Sequence, residues 1–391
     1  MKLLFVTPTL PDRPDKDGMT QVAFRLLGEL TKRHAVTVWS IDDDTADIQA
    51  TQTLGVRAVR IFRHRQRSLL SYYVFGSRVP YYQTRYESRT LHIALQTLQP
   101  GDFDLVVIHS PFLGQYIQDV QQIPVVVHAM DTMSTWFLKT SDHEWRFWKK
   151  VHLQNEARRA RQVEFSQYRL ARAISFVGPS DEKTVRTLLP RTVKTTTIPI
   201  GITASQFYPP AAERLPATLI FSGVMNYPPN VDAVVWFSRE VWPSIRSRFP
   251  EAIFRIVGKD PAPPVRALQS IPGIDIAGRV ERVSDELRNA TIAISPLRFG
   301  TGFKIKAIEA LACGAPLVAS TETLQGYDLV PGQDVMVADD PETWVITLTD
   351  LLRHPHRRAE LSRNGITAAT RYAWPVIATR YEALYDTVTH G

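Results

Sequence analysis

The chain has one cysteine, Cys313, in 391 residues. Neither a disulfide framework nor a cysteine metal cluster can form within it, and a reducing, cytoplasmic setting is expected. No apolar run approaches the roughly 18 residues that a membrane-spanning helix needs. The opening MKLLFVTPTLP has too short an apolar stretch for a signal peptide and reads as a first strand. No G-x-G-x-x-G follows the first strand of either half, which disfavours a dinucleotide dehydrogenase. Acidic residues are scarce in one region. Between positions 57 and 89 stand Arg57, Arg60, Arg63, Arg65, Arg67, Arg78, Arg85 and Arg89 against Glu87 alone, and the chain's formal charge is +7. A basic face of this kind suits nucleic acid, anionic lipid headgroups or phosphorylated small molecules, and equally an ordinary solvated surface.

What is present is a strand–helix alternation that runs twice. Apolar residues are 44% and charged residues 22%, a balance typical of soluble globular chains, and the length suffices for two cores. In the first half the runs KLLFVT, AVTVWS, VRAVRIF, DLVVIHS and PVVVHAMD are separated by helix-like segments such as Thr20–Arg33. The second half restarts at Ala217 with ATLIFSGVMN and continues through AIFRIVGKD, IDIAGRV, TIAISPL, APLVAS and DVMVAD. Continuous apolar strands alternating with helices indicate parallel sheets covered on both faces. The expected fold is therefore α/β, with two Rossmann-like doubly wound domains facing across a cleft. Residues 1–200 and 201–370 form the two domains, joined by the proline-rich IPIGITASQFYPPAAERLPATL, and residues 371–391 hold a terminal helix starting at Trp374.

The most informative stretch is RFGTGFKIKAIEALACGAP, Arg298 to Pro316. It reads as the turn after a buried strand, followed by a helix over about Phe303–Cys313. Its two lysines would stand in the helix's first turn, where the macrodipole disfavours cations, so a nearby anion is expected. Gly300 and Gly302 permit close backbone approach, Lys304 supplies a counter-charge, and Glu309 edges the apolar stripe as an acceptor for sugar hydroxyls. For Lys306 the simpler reading is an i,i+3 ion pair with Glu309.

These residues resemble the nucleotide-sugar signature of glycosyltransferase family 4, the retaining, metal-independent enzymes of GT-B fold. The resemblance places Glu309 with ALACGAP as the second glutamate of the family pattern, the one that accepts hydrogen bonds from the nucleotide ribose. The first glutamate, which helps hold the donor sugar, falls at Thr301. FSGVMNYPPN resembles the first turn of the family's second domain but lacks its arginine and lysine, carrying Asn226, Tyr227 and Asn230 instead. Lys304 and Arg298 are then expected to take over the cationic role. IAGRV, with Arg279 and Val280, resembles the strand–loop that lines the nucleobase, and the last helix resembles the one that crosses back onto the first domain.

The resemblance thus implies a donor site of Gly18, Gly223, Asn226, Arg279, Val280, Arg298, Thr301, Gly302, Phe303, Lys304, Ile305 and Glu309. Gly18 belongs to TPTLPDRPDKDGMTQ, which is similar to the family's glycine loop. Lys304 is expected to be catalytic, together with Asp131 and His128 at the end of VVVHAMDTMS. His128 reads equally as a core histidine, and His109 and Ser110 end a neighbouring strand. The implied substrate is a nucleotide-diphosphate sugar, UDP-linked ahead of GDP-linked, with no cofactor and no metal. The implied acceptor is a glycan, a lipid-linked sugar or a small molecule. Nucleic acid is not expected as a partner. RSLLSYYVFGSRVPYYQTRY, with tyrosines among arginines, is a candidate for peripheral contact with an anionic membrane at its inner face, or for an amphipathic pair packed on its own domain. A nucleotide-sugar epimerase and a non-catalytic sugar-nucleotide-binding subunit of a glycan assembly complex remain open alternatives.

Overall fold

The structure, a computed structural model, describes the chain apart from residues 14–17, 43–46, 65–79, 143, 204–216, 301 and 391. It divides into two compact units, Met1–Ile200 with Trp374–Gly391, and Gly201–Ala373. The tyrosine- and arginine-rich segment expected at a membrane lies largely outside the described residues, as do most of the proline-rich join, Thr301 and part of the glycine loop.

The first unit is built on seven parallel strands: β1 (Lys2–Thr7), β2 (Ala35–Ile41), β3 (Ala58–Phe62), β4 (Leu105–His109), β5 (Val125–Met130), β6 (Ala173–Phe176) and β7 (Lys194–Thr197). Their order is β3-β2-β1-β4-β5-β6-β7, so the chain reverses direction across the sheet between β1 and β4. Strand side chains alternate faces, and this divides one apolar run between two cores. Leu4, Val6, Val106 and Ile108 face one side, while Leu3, Phe5, Leu105 and Val107 face the other. The second side is closed by Leu26 and Leu30 of the helix Gly18–Leu30 and by Ile377, Tyr381 and Tyr385 of the helix Trp374–Thr389.

Six parallel strands form the second unit: β8 (Thr218–Ser222), β9 (Ile253–Val257), β10 (Ile274–Gly278), β11 (Ile292–Ser295), β12 (Leu317–Ala319) and β13 (Met336–Val337). Their order is β10-β9-β8-β11-β12-β13, with the reversal between β8 and β11. Phe237 packs on Phe254 and Trp344, with ring centroids 5.0 and 5.6 Å apart. Full burial of each such side chain contributes about 1.5–3 kcal/mol.

Two strands were not anticipated. β7 is the edge run KTTT, with no buried residue to give it a pattern, and β6 is only four residues long.

The carboxyl ends of β8 and β9 are held unusually close. Gly258 has φ +153°, and a Cβ there would lie 1.6 Å from the carbonyl oxygen of Gly223. Gly223 N–H donates to Val257 O at 3.0 Å and Gly258 N–H to Gly278 O at 2.8 Å, so neither backbone can yield alone. Gly258→Ala should lower the unfolding free energy by about 3 kcal/mol or more, the upper range for overpacking a rigid site. Urea unfolding checks this. A change below about 1 kcal/mol would show that the two strand ends separate easily.

Candidate functional site

The reversal between β8 and β11 in the second unit opens a cavity of about 460 Å³. Its walls come from the segments after four strands. Gly223 and Asn230 follow β8, Gly258 and Lys259 follow β9, Arg279 and Val280 follow β10, and Phe299, Phe303, Lys304, Lys306 and Glu309 follow β11. Ligands of doubly wound sheets bind at such a point, beyond the carboxyl ends of the strands.

The helix after β11 starts later than the sequence indicated. It spans Lys306–Ala312, seven residues, with Ile305 as its N-cap. Phe303–Ile305 is drawn off instead into a turn that begins at Gly302, φ +71°. That turn is fixed by Tyr327, whose hydroxyl donates to Lys304 O at 2.8 Å and whose ring lies 4.2 Å from Phe303. So short a helix has little macrodipole, and positive charge in the cavity comes from side chains.

Lys259 and Arg279 stand exposed in its walls, and two less exposed lysines add to them. Lys304 is 8% exposed. Its Nζ donates to Gly302 O at 2.9 Å and lies 3.5 Å from Glu322 Oε1. Lys306 reaches back under β8, where its Nζ donates to Asn230 Oδ1 at 2.6 Å and sits 4.0 Å from the centre of the Phe221 ring. Asn230 is oriented for this by donating its amide to Val224 O at 2.9 Å. The partner of Lys306 is thus an amide on another helix, Pro228–Glu240, rather than Glu309 on its own. Glu309 shares the cavity, and the two influence each other through space. Burial pushes the Glu309 carboxyl up to about 7, against the pull of Lys306. Burial also pushes the Lys306 ammonium down to about 7, helped by repulsion from Lys304 and opposed by Glu309. An ammonium and a carboxylate that are both costly to keep charged form a site that a charged, hydroxyl-bearing ligand would satisfy.

Of the residues expected to hold a donor, Gly223, Arg279, Val280, Phe303, Lys304, Ile305 and Glu309 line this cavity. Two expectations need correction. Arg298 does not line it, because its guanidinium is committed to both oxygens of Asp232 and rests beside Trp236. Asn226 is exposed and outside the lining, and Asn230 is the asparagine of that turn that reaches in. Gly302 shapes the turn without lining the cavity. Thr301 lies outside the described residues. Lys306 is the cavity residue passed over, although its position three residues before Glu309 put both on one helix face.

In the first unit the structure corrects the reading of His128 as a catalytic residue. The side chain is wholly buried, in β5 beside His109 of β4. Its Nδ1 is 3.2 Å from His109 Nδ1, and its Nε2 is 3.0 Å from Tyr385 Oη. His109 Nε2 lies 3.4 Å from the carbonyl of Met19, which can only accept. One proton assignment satisfies this chain with both rings neutral. Tyr385 donates to His128, His128 to His109, and His109 to Met19. Burial, with His109 adding to it, holds the His128 pKa well below its usual value, in keeping with a neutral ring.

Asp131 follows β5 at a turn where Met130 takes φ +59°. The loop is pinned from behind. Thr132 N–H donates to Asp181 at 3.2 Å, and Ser134 donates to Glu164 from both its N–H, at 3.0 Å, and its hydroxyl, at 2.5 Å. Gly18 opens its helix with open space where a Cβ would stand, so nothing described there requires glycine.

Residues 216–354 match the family model described as "Glycosyl transferases group 1". That match lies within the second unit. The phosphatidyl-myo-inositol mannosyltransferase of Mycobacterium tuberculosis is 27% identical over 209 residues, 49% of this chain and 53% of that protein. D-inositol 3-phosphate glycosyltransferase 2 of Catenulispora acidiphila is 31% identical over 107 residues, 27% of this chain and 25% of that protein. The matches thus span a quarter to a half of these relatives' lengths. The Anabaena protein HepE, solved in complex with UDP, superposes with a TM-score of 0.69 over 99% of this chain and 100% of its own, at 13% identity. That likeness is one of fold, the two Rossmann-like units of GT-B glycosyltransferases. The matched stretch contains the whole 460 Å³ cavity.

Removing the His128 ring leaves a void and takes away partners from His109 and Tyr385. His128→Ala should cost about 2–4 kcal/mol of stability in urea unfolding and leave ligand binding in the second unit unchanged. A stable variant that has lost activity would restore His128 to the reacting groups.

Proposed function

We propose that the protein transfers a sugar from a nucleotide-diphosphate sugar to an acceptor hydroxyl with retention of anomeric configuration. The observation that carries this reading is the cavity at the β8/β11 reversal, where Lys304, Lys306 and Glu309 converge. Glu309 is positioned to accept from ribose hydroxyls, and Arg279 and Val280 are the walls for the base. The two ammonium groups are the counter-charge for the diphosphate. As the bond to the sugar breaks, negative charge grows on the departing diphosphate, and fixed cations in a water-poor cavity stabilise it more than bulk water would. No protein nucleophile is then required. The acceptor approaches on the face the diphosphate leaves, and a diphosphate oxygen takes its proton. Asp131, on its pinned loop, is the first unit's candidate for contact with sugar or acceptor. A UDP-sugar is the preferred donor, supported by the UDP held by the HepE structure. The acceptor class is a glycan, a lipid-linked sugar or a small molecule.

Incubation with a panel of labelled nucleotide sugars tests the reading. Transfer or slow hydrolysis supports it, whereas epimerisation, or binding without turnover, would replace it. With an active donor, Lys304→Ala should reduce kcat by about 10²-fold or more, the scale of losing one preorganised charge. A wild-type kcat with intact nucleotide binding would remove Lys304 from the mechanism. Glu309→Ala should weaken affinity for nucleoside diphosphates in titration calorimetry.

Binding should also be bell-shaped in pH. Glu309, raised to about 7, must be ionised to accept, so affinity falls as pH drops below that value. Lys306, lowered to about 7, must be protonated to meet the diphosphate, so affinity falls as pH rises above it. A UDP-sugar is the right probe, because the terminal phosphate of UDP itself titrates at about 6. Glu309→Gln should flatten the acid limb and Lys306→Met the alkaline limb. A profile that is flat from pH 5.5 to about 9 would show that neither group changes charge on binding.

A further inference from the structure

The first unit carries an exposed apolar patch that neither its core nor the proposed reaction uses. Within EWRFWKK, Trp145 is 87% exposed, Phe147 80% and Trp148 69%, and Leu138 on the preceding helix is 49% exposed. Three large aromatics in four residues at such exposure are unusual for a surface with no partner. The helix Phe147–Tyr168 prolongs the patch. Its inner face, with Leu153, Ala157 and Ala160, packs against Tyr82 and Phe137. Its outer face shows Trp148, Val151, Asn155, Arg158, Gln162 and Phe165 at helical spacing, all exposed. At 1.5 Å per residue that stripe is about 25 Å long.

Charge around the patch is sorted by sign. Arg158 stands in the stripe with Lys150 and Arg161 beside it, and Arg146 lies 5.7 Å from the Trp145 ring and 5.8 Å from that of Trp148. The carboxylates of this helix are turned inward, Glu156 2% exposed and Glu164 1%, and Asp142, at the end of the preceding helix, is an exposed acidic exception. Glu144 is bound to Arg146 and Lys149, at 3.0 and 2.9 Å. The outer surface therefore offers tryptophan, phenylalanine and cations. A second copy would bring like charges face to face. Indole rings settle at the boundary between headgroups and acyl chains, and lysine and arginine seek anionic headgroups in the same layer.

We propose that Trp145, Phe147 and Trp148, with the outer stripe of the helix Phe147–Tyr168, seat this unit on a bilayer containing anionic lipid. The helix lies along the surface. Among the described residues no helix is long and apolar enough to cross a membrane, and none is needed for this contact. The site is separate from the cavity of the second unit, so its test does not depend on the sugar-transfer reading.

The full chain should float with vesicles of phosphatidylcholine and phosphatidylglycerol, and at least tenfold less with phosphatidylcholine alone. Brominated acyl chains should quench part of its tryptophan fluorescence. The variant W145S/F147S/W148S should lose that quenched fraction and at least tenfold in vesicle affinity, with an unchanged melting temperature and unchanged nucleotide binding. The variant K150E/R158E should lose the preference for anionic vesicles while its aromatics remain. The proposal is overturned if the parent chain does not bind vesicles, or if the triple variant binds them as well as the parent. It is also overturned if the parent is a dimer in sedimentation and the triple variant a monomer, which would assign the patch to a second copy.

Discussion

An ammonium group inside a protein has to be held by something, and in the second unit Lys306 is held by an amide oxygen and an aromatic face. Much of the local architecture serves that placement. Asn230 is locked by its bond to Val224, Phe221 is the penultimate residue of the strand beside the reversal, and Gly223 leaves the space in between. A Cβ on Gly223 would lie 2.7 Å from the Asn230 amide and 3.0 Å from Lys306 Nζ. Neither partner carries a full negative charge, so the ammonium is stabilised enough to fold and not enough to be satisfied. The same holds for Glu309, which lies in a buried setting that favours its neutral form. Such a site gives up stability in the empty protein in exchange for complementarity to a charged ligand.

Much of this was legible in the sequence, for identifiable reasons. β1 and the helix Trp374–Thr389 stand where apolar runs and a proline at the first helical turn put them. The Arg298–Pro316 stretch stood out as a cavity-lining candidate because lysines at the start of an apolar helix have no structural motive of their own. Yet where each lysine would sit was not legible. The helix begins at Lys306 because Tyr327, more than twenty residues downstream, pulls Phe303 and Lys304 into a turn. Arg298 looked like a second cation for the same reason, until Asp232 claimed it.

His128 shows the limit from the other side. A histidine at the end of a buried strand in such a sheet has the same local pattern whether it meets a substrate or the core. What decides is Tyr385, 257 residues further along the chain, which closes over it. Edge strand β7 was unreadable because KTTT has neither alternation nor a buried face. Its place comes entirely from parallel pairing with β6.

The position of Tyr385 bears on the order in which the chain assembles. The first unit's second core is completed by Ile377, Ala378, Tyr381, Leu384 and Tyr385, residues that leave the ribosome after the whole of Gly201–Ala373. The domain encoded second is the continuous one and can close on itself during synthesis, while the one encoded first waits with one sheet face only partly covered, by the helix Gly18–Leu30. Domains usually mature in the order they are translated; here the segment holding the cavity is free to mature first.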